Sequence, residues 1–251
     1  MNTYYHEVDA LAFQYQIASI SEEMNFRVSE LIEASRAELL TFYEAIRAQS
    51  PAECMEKGIV PYRFSSLLAL LQTFRDALRG ALGKDFDFSP LDDDVPHASL
   101  FRQLRNALVH DGYQPIALWV EGRYYLPANF TRQDHRGKPV NVNAPEHDVE
   151  TLALEYSEAY CTRLASLLDA LSADKKLRGP QRSYEWFRAA WSHPVLAKFK
   201  SIEMPSRAEW PVHPESAPAP LDLAEIRLRD ISRLCAARLE ELRALPDVPF
   251  P

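Results

Sequence analysis

Near the middle of the chain, Arg102, Arg105, Asn106 and His110 follow one another at spacings that a helix turns to one side. At about 100° per residue they share an arc of about 140°, and Leu100, Phe101, Leu104, Ala107 and Leu108 fall on the opposite side. An imidazole exchanges protons near neutrality, and a guanidinium holds a phosphate through parallel hydrogen bonds. An amide can fix an imidazole tautomer or bind a phosphate oxygen. Together these groups suit cleavage of a phosphodiester that carries its own 2′-hydroxyl nucleophile. That reaction needs a base for the hydroxyl proton, an acid for the departing 5′-oxygen and a cation for the charge that builds on phosphorus. One imidazole cannot easily do both proton transfers in one step. Two copies of His110 facing each other across a twofold axis can, because imidazole in water titrates at about pH 6.5. The same residues also fit a plain solvated helix face, where the macrodipole alone favours His near the C-terminus.

The elements that must position these residues can be read from periodicity. From Glu7 to Gln49 there is no proline or glycine, and Val8, Leu11, Tyr15, Ala18, Val28, Leu31, Ile32, Leu39, Phe42 and Ile46 recur at helical spacing. This predicts one long helix or two nearly collinear ones. A second helix is expected after Pro61, with Phe64, Leu67, Leu68, Leu71, Phe74, Leu78 and Leu82 on one face, antiparallel to the first. The acidic run Asp92-Asp93-Asp94 leads into a third helix over about residues 97–110, which Gly112 ends; its carboxylates are read as complements to the helix dipole rather than as a magnesium site. Residues 116–120 and 123–126, around Glu121-Gly122, predict one short hairpin, followed by a polar loop through Asp134, Gly137 and Pro139. A fourth helix is expected from Asp148 to Leu171 and a terminal one from Leu221 to Leu245. The expected fold class is all-α: a four-to-five-helix up-down bundle with a small inserted β-hairpin and a helical C-terminal appendage. The bundle would take residues 1–173. Residues 174–251 would form an extension packed on it or on a second subunit.

Arg105-Asn106, three residues and then His110 resembles the Arg-x4-His signature, with Asn after Arg, of the HEPN superfamily (higher eukaryotes and prokaryotes nucleotide-binding). In that family the signature lies near the C-terminal end of the third helix of a four-to-five-helix bundle. The resemblance covers residues 95–113 well and residues 1–172 loosely. It implies a homodimer whose two signatures meet across the interface, acting as a metal-independent endoribonuclease on RNA. Arg105, Asn106 and His110 would be its catalytic residues, with no cofactor and no metal. The products implied are a 2′,3′-cyclic phosphate and a 5′-hydroxyl. Such proteins serve as toxins or anti-phage effectors, held in check by an antitoxin or regulatory protein. The alternative is a non-catalytic module of the same kind, whose helix face binds a nucleotide or a protein partner. Toxin members silenced by nucleotidyl transfer carry a tyrosine two residues after the His. Tyr113 stands three residues after it, so that regulation does not carry over.

Composition bounds the rest. With 251 residues, 47% hydrophobic and 25% charged, the chain can bury an unaided core, and its 7 glycines against 18 prolines disfavour hairpin-rich β folds and phosphate-cradling loops. The net charge of −8 disfavours a nucleic-acid coat or a membrane-surface role, although it is uneven: residues 1–60 hold 4 Lys/Arg against 10 Asp/Glu, residues 174–210 hold 8 against 4. No apolar run is long enough for a membrane span, and His6, Glu7 and Asp9 stand where a secretory signal needs apolar residues, so a cytoplasmic protein is expected. Cys54, Cys161 and Cys235 show no metal or redox spacing and are read as buried free thiols. His135 and His147 lack a Cys or His partner at zinc spacing. Candidate substrate contacts are Arg102 and Tyr113, together with Arg182 and Arg188 from an aromatic-basic segment over residues 181–200 whose rings could stack bases. The same rings, Trp186, Phe187 and Trp191, also suit the packing of an appended helix. A proline-rich linker is expected over residues 205–220.

Overall fold

The structure, a computed structural model, describes residues 10–54, 58–82, 87–92, 94–134, 136–171 and 219–245, and isolated positions between 184 and 209. Helix α1 (Ala10–Arg47) is a single unbroken helix of 38 residues, as the absence of Gly and Pro allows. Ile17, Ile20, Met24, Val28, Leu31, Ser35, Leu39 and Phe42 are buried, at steps of three or four that set one stripe against the core. Ile46, expected on that stripe, lies in the last turn and is exposed. Helix α2 (Ile59–Leu82) begins two residues before Pro61, because a proline in the first turn gives up only an N–H that has no intrahelical partner. The ion pair of Arg63 with Glu30, and the packing of Val60 near Ser35 and Leu39, set α2 antiparallel to α1.

After the short helix α3 (Ser89–Asp92), α4 (Ala98–His110) buries Phe101, Leu104 and Ala107. Phe101 stacks on Tyr156 with ring centroids 4.2 Å apart and meets Phe64 edge-on at 5.6 Å. The carboxylates before α4 are not left to its dipole: Asp92 pairs with Arg75 and Asp94 with Arg163. Helix α5 (Val149–Ala170) starts where Asp148 accepts from the Thr151 N–H at 3.0 Å, and Asp148 also holds Arg123.

Helix α6 (Pro220–Arg243) packs along both α1 and α5. Arg227 pairs with Glu22 and Arg36 with Glu241, so α6 runs parallel to α1; Arg238 meets Glu150 and Ser232 meets Thr162, so it runs antiparallel to α5. Leu221, Ala224, Leu228, Ile231, Cys235 and Leu239 are buried in the same core cluster as the α1 and α5 stripes. Among the described residues no helix is long and apolar enough to cross a membrane. Cys161 and Cys235 are buried free thiols, and burial pushes Cys235 up to about 12; Cys54 is only half-buried, 2.8 Å from the Tyr124 hydroxyl.

The fold is thus mostly helical, but among the described residues it carries two small antiparallel hairpins where one was expected. The first pairs β1 (Leu118–Val120) with β2 (Arg123–Tyr125) through Glu121 and Gly122, both at positive φ, the turn type that suits strand twist. A Cβ on Gly122 would lie 2.9 Å from Phe42 Cβ and 3.0 Å from Leu39 Cα, since the turn presses on α1. Gly122→Ala is therefore expected to destabilise the protein by about 1–3 kcal/mol, measured by urea unfolding. The second hairpin pairs β3 (Phe130–Gln133) with β4 (Pro139–Val142), from Phe130↔Val142 to Gln133↔Pro139. The polar loop expected at this point is only its turn, where Asp134 accepts from the N–H groups of Arg136 and Lys138. The flanking strands are short, and Thr131, Gln133, Pro139 and Asn141 face outward, so the apolar alternation that marks a strand is reduced to Phe130, Val140 and Val142.

Candidate active site

The C-terminal turn of α4 is closed by local chemistry. Asp111 donates its N–H to the carbonyls of Ala107 and Asn106, and Gly112, at φ 65°, reverses the chain so that the Tyr113 N–H also reaches Ala107 O at 3.0 Å. The buried side of the helix anchors this end, and the polar arc faces out. Arg105 Nη1 donates to Asn106 Oδ1 at 3.1 Å and to His110 Nε2 at 3.1 Å. A guanidinium has no acceptor, so Nε2 is the nitrogen with the free lone pair and the imidazole proton resides on Nδ1. His110 is exposed, while Arg105 and Asn106 are half-buried. The arrangement can take up a proton at Nε2 and offers a cation within one hydrogen bond of it.

The second hairpin walls this face, and its contribution is not legible in the helical pattern. Arg132 of β3 donates through Nε to Asp111 Oδ2 at 2.8 Å, through Nη2 to Asp111 Oδ1 at 3.3 Å and through Nη1 to Gln103 Oε1 at 3.1 Å. Its side chain is nearly buried, and the Tyr113 ring packs on Phe130 at 5.3 Å. Between α4 and the hairpin lies an open cleft of about 630 Å³, lined by Gln103, Asn106, His110, Asp111 and Arg132 from the groups already named, and by Gln133, Asp134 and Val140. The signal that could have found Arg132 is the alternation Phe130-x-Arg132 and Val140-x-Val142 on either side of the Gly137 turn.

Arg105, Asn106 and His110 are brought together as their spacing predicts, with Tyr113 just beyond them. Arg102 is not in the cleft. It is exposed and lines a separate recess of about 240 Å³ toward α2, a recess that Arg105 also borders. Arg188 is exposed, and Arg182 lies outside the described residues, as do most of the aromatic-basic segment and of the proline-rich stretch. Compared with known protein families, curated proteins and solved structures, the chain matches none. What this site does must therefore be argued from its own geometry.

Arg132, donating to it, holds the Asp111 carboxyl below the usual carboxylate range. A carboxyl lowered in the folded state contributes its tie above the unfolded value and loses it as pH falls through the lowered one. The Arg132 Nε–H resonance is expected to be protected from solvent at neutral pH and to lose that protection in acid. In Asp111→Asn, which keeps an acceptor oxygen but no titrating carboxyl, the acid-dependent loss of protection should disappear, which an NMR titration would read directly.

Proposed function

We propose that the chain is a metal-independent endoribonuclease of the HEPN type that works as a homodimer. The observation that carries this reading is the cluster at the exposed end of α4, in which one guanidinium nitrogen bridges Asn106 and His110. In the proposed reaction, Arg105 turns to the scissile phosphate and leaves His110 Nε2 free to take the 2′-hydroxyl proton. The 2′-oxygen bonds to phosphorus, the bond from phosphorus to the 5′-oxygen breaks, and His110 of the partner subunit gives its proton to that leaving oxygen. One strand keeps a 2′,3′-cyclic phosphate, the other gains a 5′-hydroxyl, and the two imidazoles have exchanged protonation states. Arg105 bears the charge that builds on the phosphorane oxygens, and Asn106 orients the guanidinium. Val109 and Tyr113, apolar side chains left 49% and 45% exposed beside His110, supply a surface on which a second copy could seat. A toxin or anti-phage role, with an antitoxin or regulatory protein as partner, belongs to the same proposal through the resemblance of the signature.

The test is incubation of the purified protein with total RNA in excess EDTA, wild type beside His110→Ala, with analysis of the fragment ends. Cyclic phosphates from the wild type alone are the expected result, and a DNA strand should be inert because it lacks the nucleophile. Intact RNA from a folded, dimeric wild type would sink the nuclease and move the non-catalytic binding module ahead.

A further inference from the structure

The recess on the α2 side of α4 is chemically one-sided. Among the described residues four guanidiniums line it, those of Arg75, Arg79, Arg102 and Arg105, against one carboxylate, Asp92, over an aromatic floor that includes Tyr156 and Tyr160. Asp92 is already taken, since Arg75 Nη1 donates to its two oxygens at 2.6 and 2.8 Å. Arg79 lies over the Phe88 ring at 5.4 Å and reaches Asp76 only at 3.7 Å. Arg102 has no hydrogen-bond or ion-pair partner among the described residues. Arg105 Nε is buried with no acceptor, a donor stripped of water and left unmatched. Burial pushes Tyr156 and Tyr160 up, so both hydroxyls keep their protons at neutral pH and can donate. Guanidiniums in excess of carboxylates, in a chain of net charge −8, are placed here against the overall balance.

We propose that this recess is a phosphate-binding subsite, which takes a phosphate monoester or diester group between Arg79, Arg102 and Arg105. Guanidiniums match phosphate oxygens in geometry as well as charge, and the acceptor that Arg105 Nε lacks is what a phosphate oxygen supplies. The volume of about 240 Å³ falls below the roughly 300 Å³ at which pockets for drug-sized ligands begin, so one phosphate and a small attachment are the scale of the ligand. Two sources share this chemistry: the RNA phosphate neighbouring the scissile one, and a free phosphorylated small molecule. In either case the anion shares Arg105 with His110. Its occupancy would draw the guanidinium away from Nε2, coupling the recess to the cleft.

The subsite holds whether or not His110 cleaves RNA, and the test keeps the two apart. Inorganic phosphate is titrated calorimetrically into the full chain at low ionic strength, using wild type, the double variant Arg79→Ala/Arg102→Ala, and His110→Ala. Both arginines are exposed, so the double variant should fold, which circular dichroism checks. Saturable binding to the wild type is expected, weakened at least about tenfold in the double variant and retained in His110→Ala. No saturable binding to the wild type, or undiminished binding to the double variant, would overturn the proposal. A fluorescent single-stranded RNA distinguishes the sources. If phosphate competes with it and the double variant binds it more weakly, the occupant is the RNA's own backbone. If RNA binding is unchanged while phosphate binding is lost, the occupant is a free phosphorylated ligand. A wild type that binds phosphate yet leaves RNA intact would remove the nuclease and keep the subsite.

Discussion

His110→Ala is expected to lower metal-free RNA cleavage by about 10²- to 10⁴-fold, the range over which a positioned general acid or base acts. In the proposed homodimer the substitution removes both proton-transfer groups at once, so the upper part of that range is expected. Arg105→Lys should also impair cleavage although the charge is kept, because an ammonium lacks the planar pair of nitrogens that can hold two phosphate oxygens at once. Stability supplies the control. His110 is exposed, so its removal should change unfolding by under about 0.5 kcal/mol, and lost cleavage cannot then be attributed to lost folding. A binding module would instead lose affinity without ever forming product. Equal cleavage by wild type and His110→Ala would assign any activity to another group or to a contaminant.

The largest expected effect on stability lies far from the site, at the contact of α5 with α6. Arg238 donates through Nε to Glu150 Oε1 at 2.8 Å and through Nη2 to Glu150 Oε2 at 3.4 Å, and each side chain is only 6% exposed. Within α6, Arg238 Nη1 also donates to Glu241, and Glu241 in turn accepts from Arg36 of α1, so the two residues together tie the terminal helix to both neighbours. Arg238→Ala leaves the Glu150 charge buried and unmatched, which costs about 3–5 kcal/mol, and Glu150→Ala, which leaves Arg238 only its exposed partner Glu241, should cost less. Replacing both with Met and Leu of similar volume should be near neutral or stabilising, because the desolvation of two ions is then avoided as well. Urea unfolding of the two single variants and the double one closes this cycle. If the single variants lose under about 1 kcal/mol, the pair behaves as a solvated surface bridge instead.

The cluster of Arg105, Asn106 and His110 was legible because helical geometry is local. Once residues 98–110 are helical, the positions of Arg105, Asn106 and His110 on one arc follow from the rise and turn of the backbone, and Gly112 marks where the helix must stop. Long stripes were legible for the same reason: α1, α2, α5 and α6 each repeat apolar residues at three and four over many turns, and Asp148 announces the start of α5, whereas Pro220, expected in the linker, opens α6. The second hairpin was not legible, since half of each short strand faces solvent and little apolar alternation survives.

By itself, then, the sequence determined the helices, their core-facing stripes and the polar arc that carries His110, all of which depend on contacts within a few residues. Only the tertiary structure decided that Arg132 closes on Asp111 and Gln103, that Arg102 turns from the cleft into a recess beside Arg75 and Arg79, and that α6 lies parallel to α1 through Arg36 and Arg227. Each of these pairs residues separated by about twenty positions or more. A long arginine can reach many carboxylates from where its helix or strand sets it, and the packing of the elements selects which one it meets.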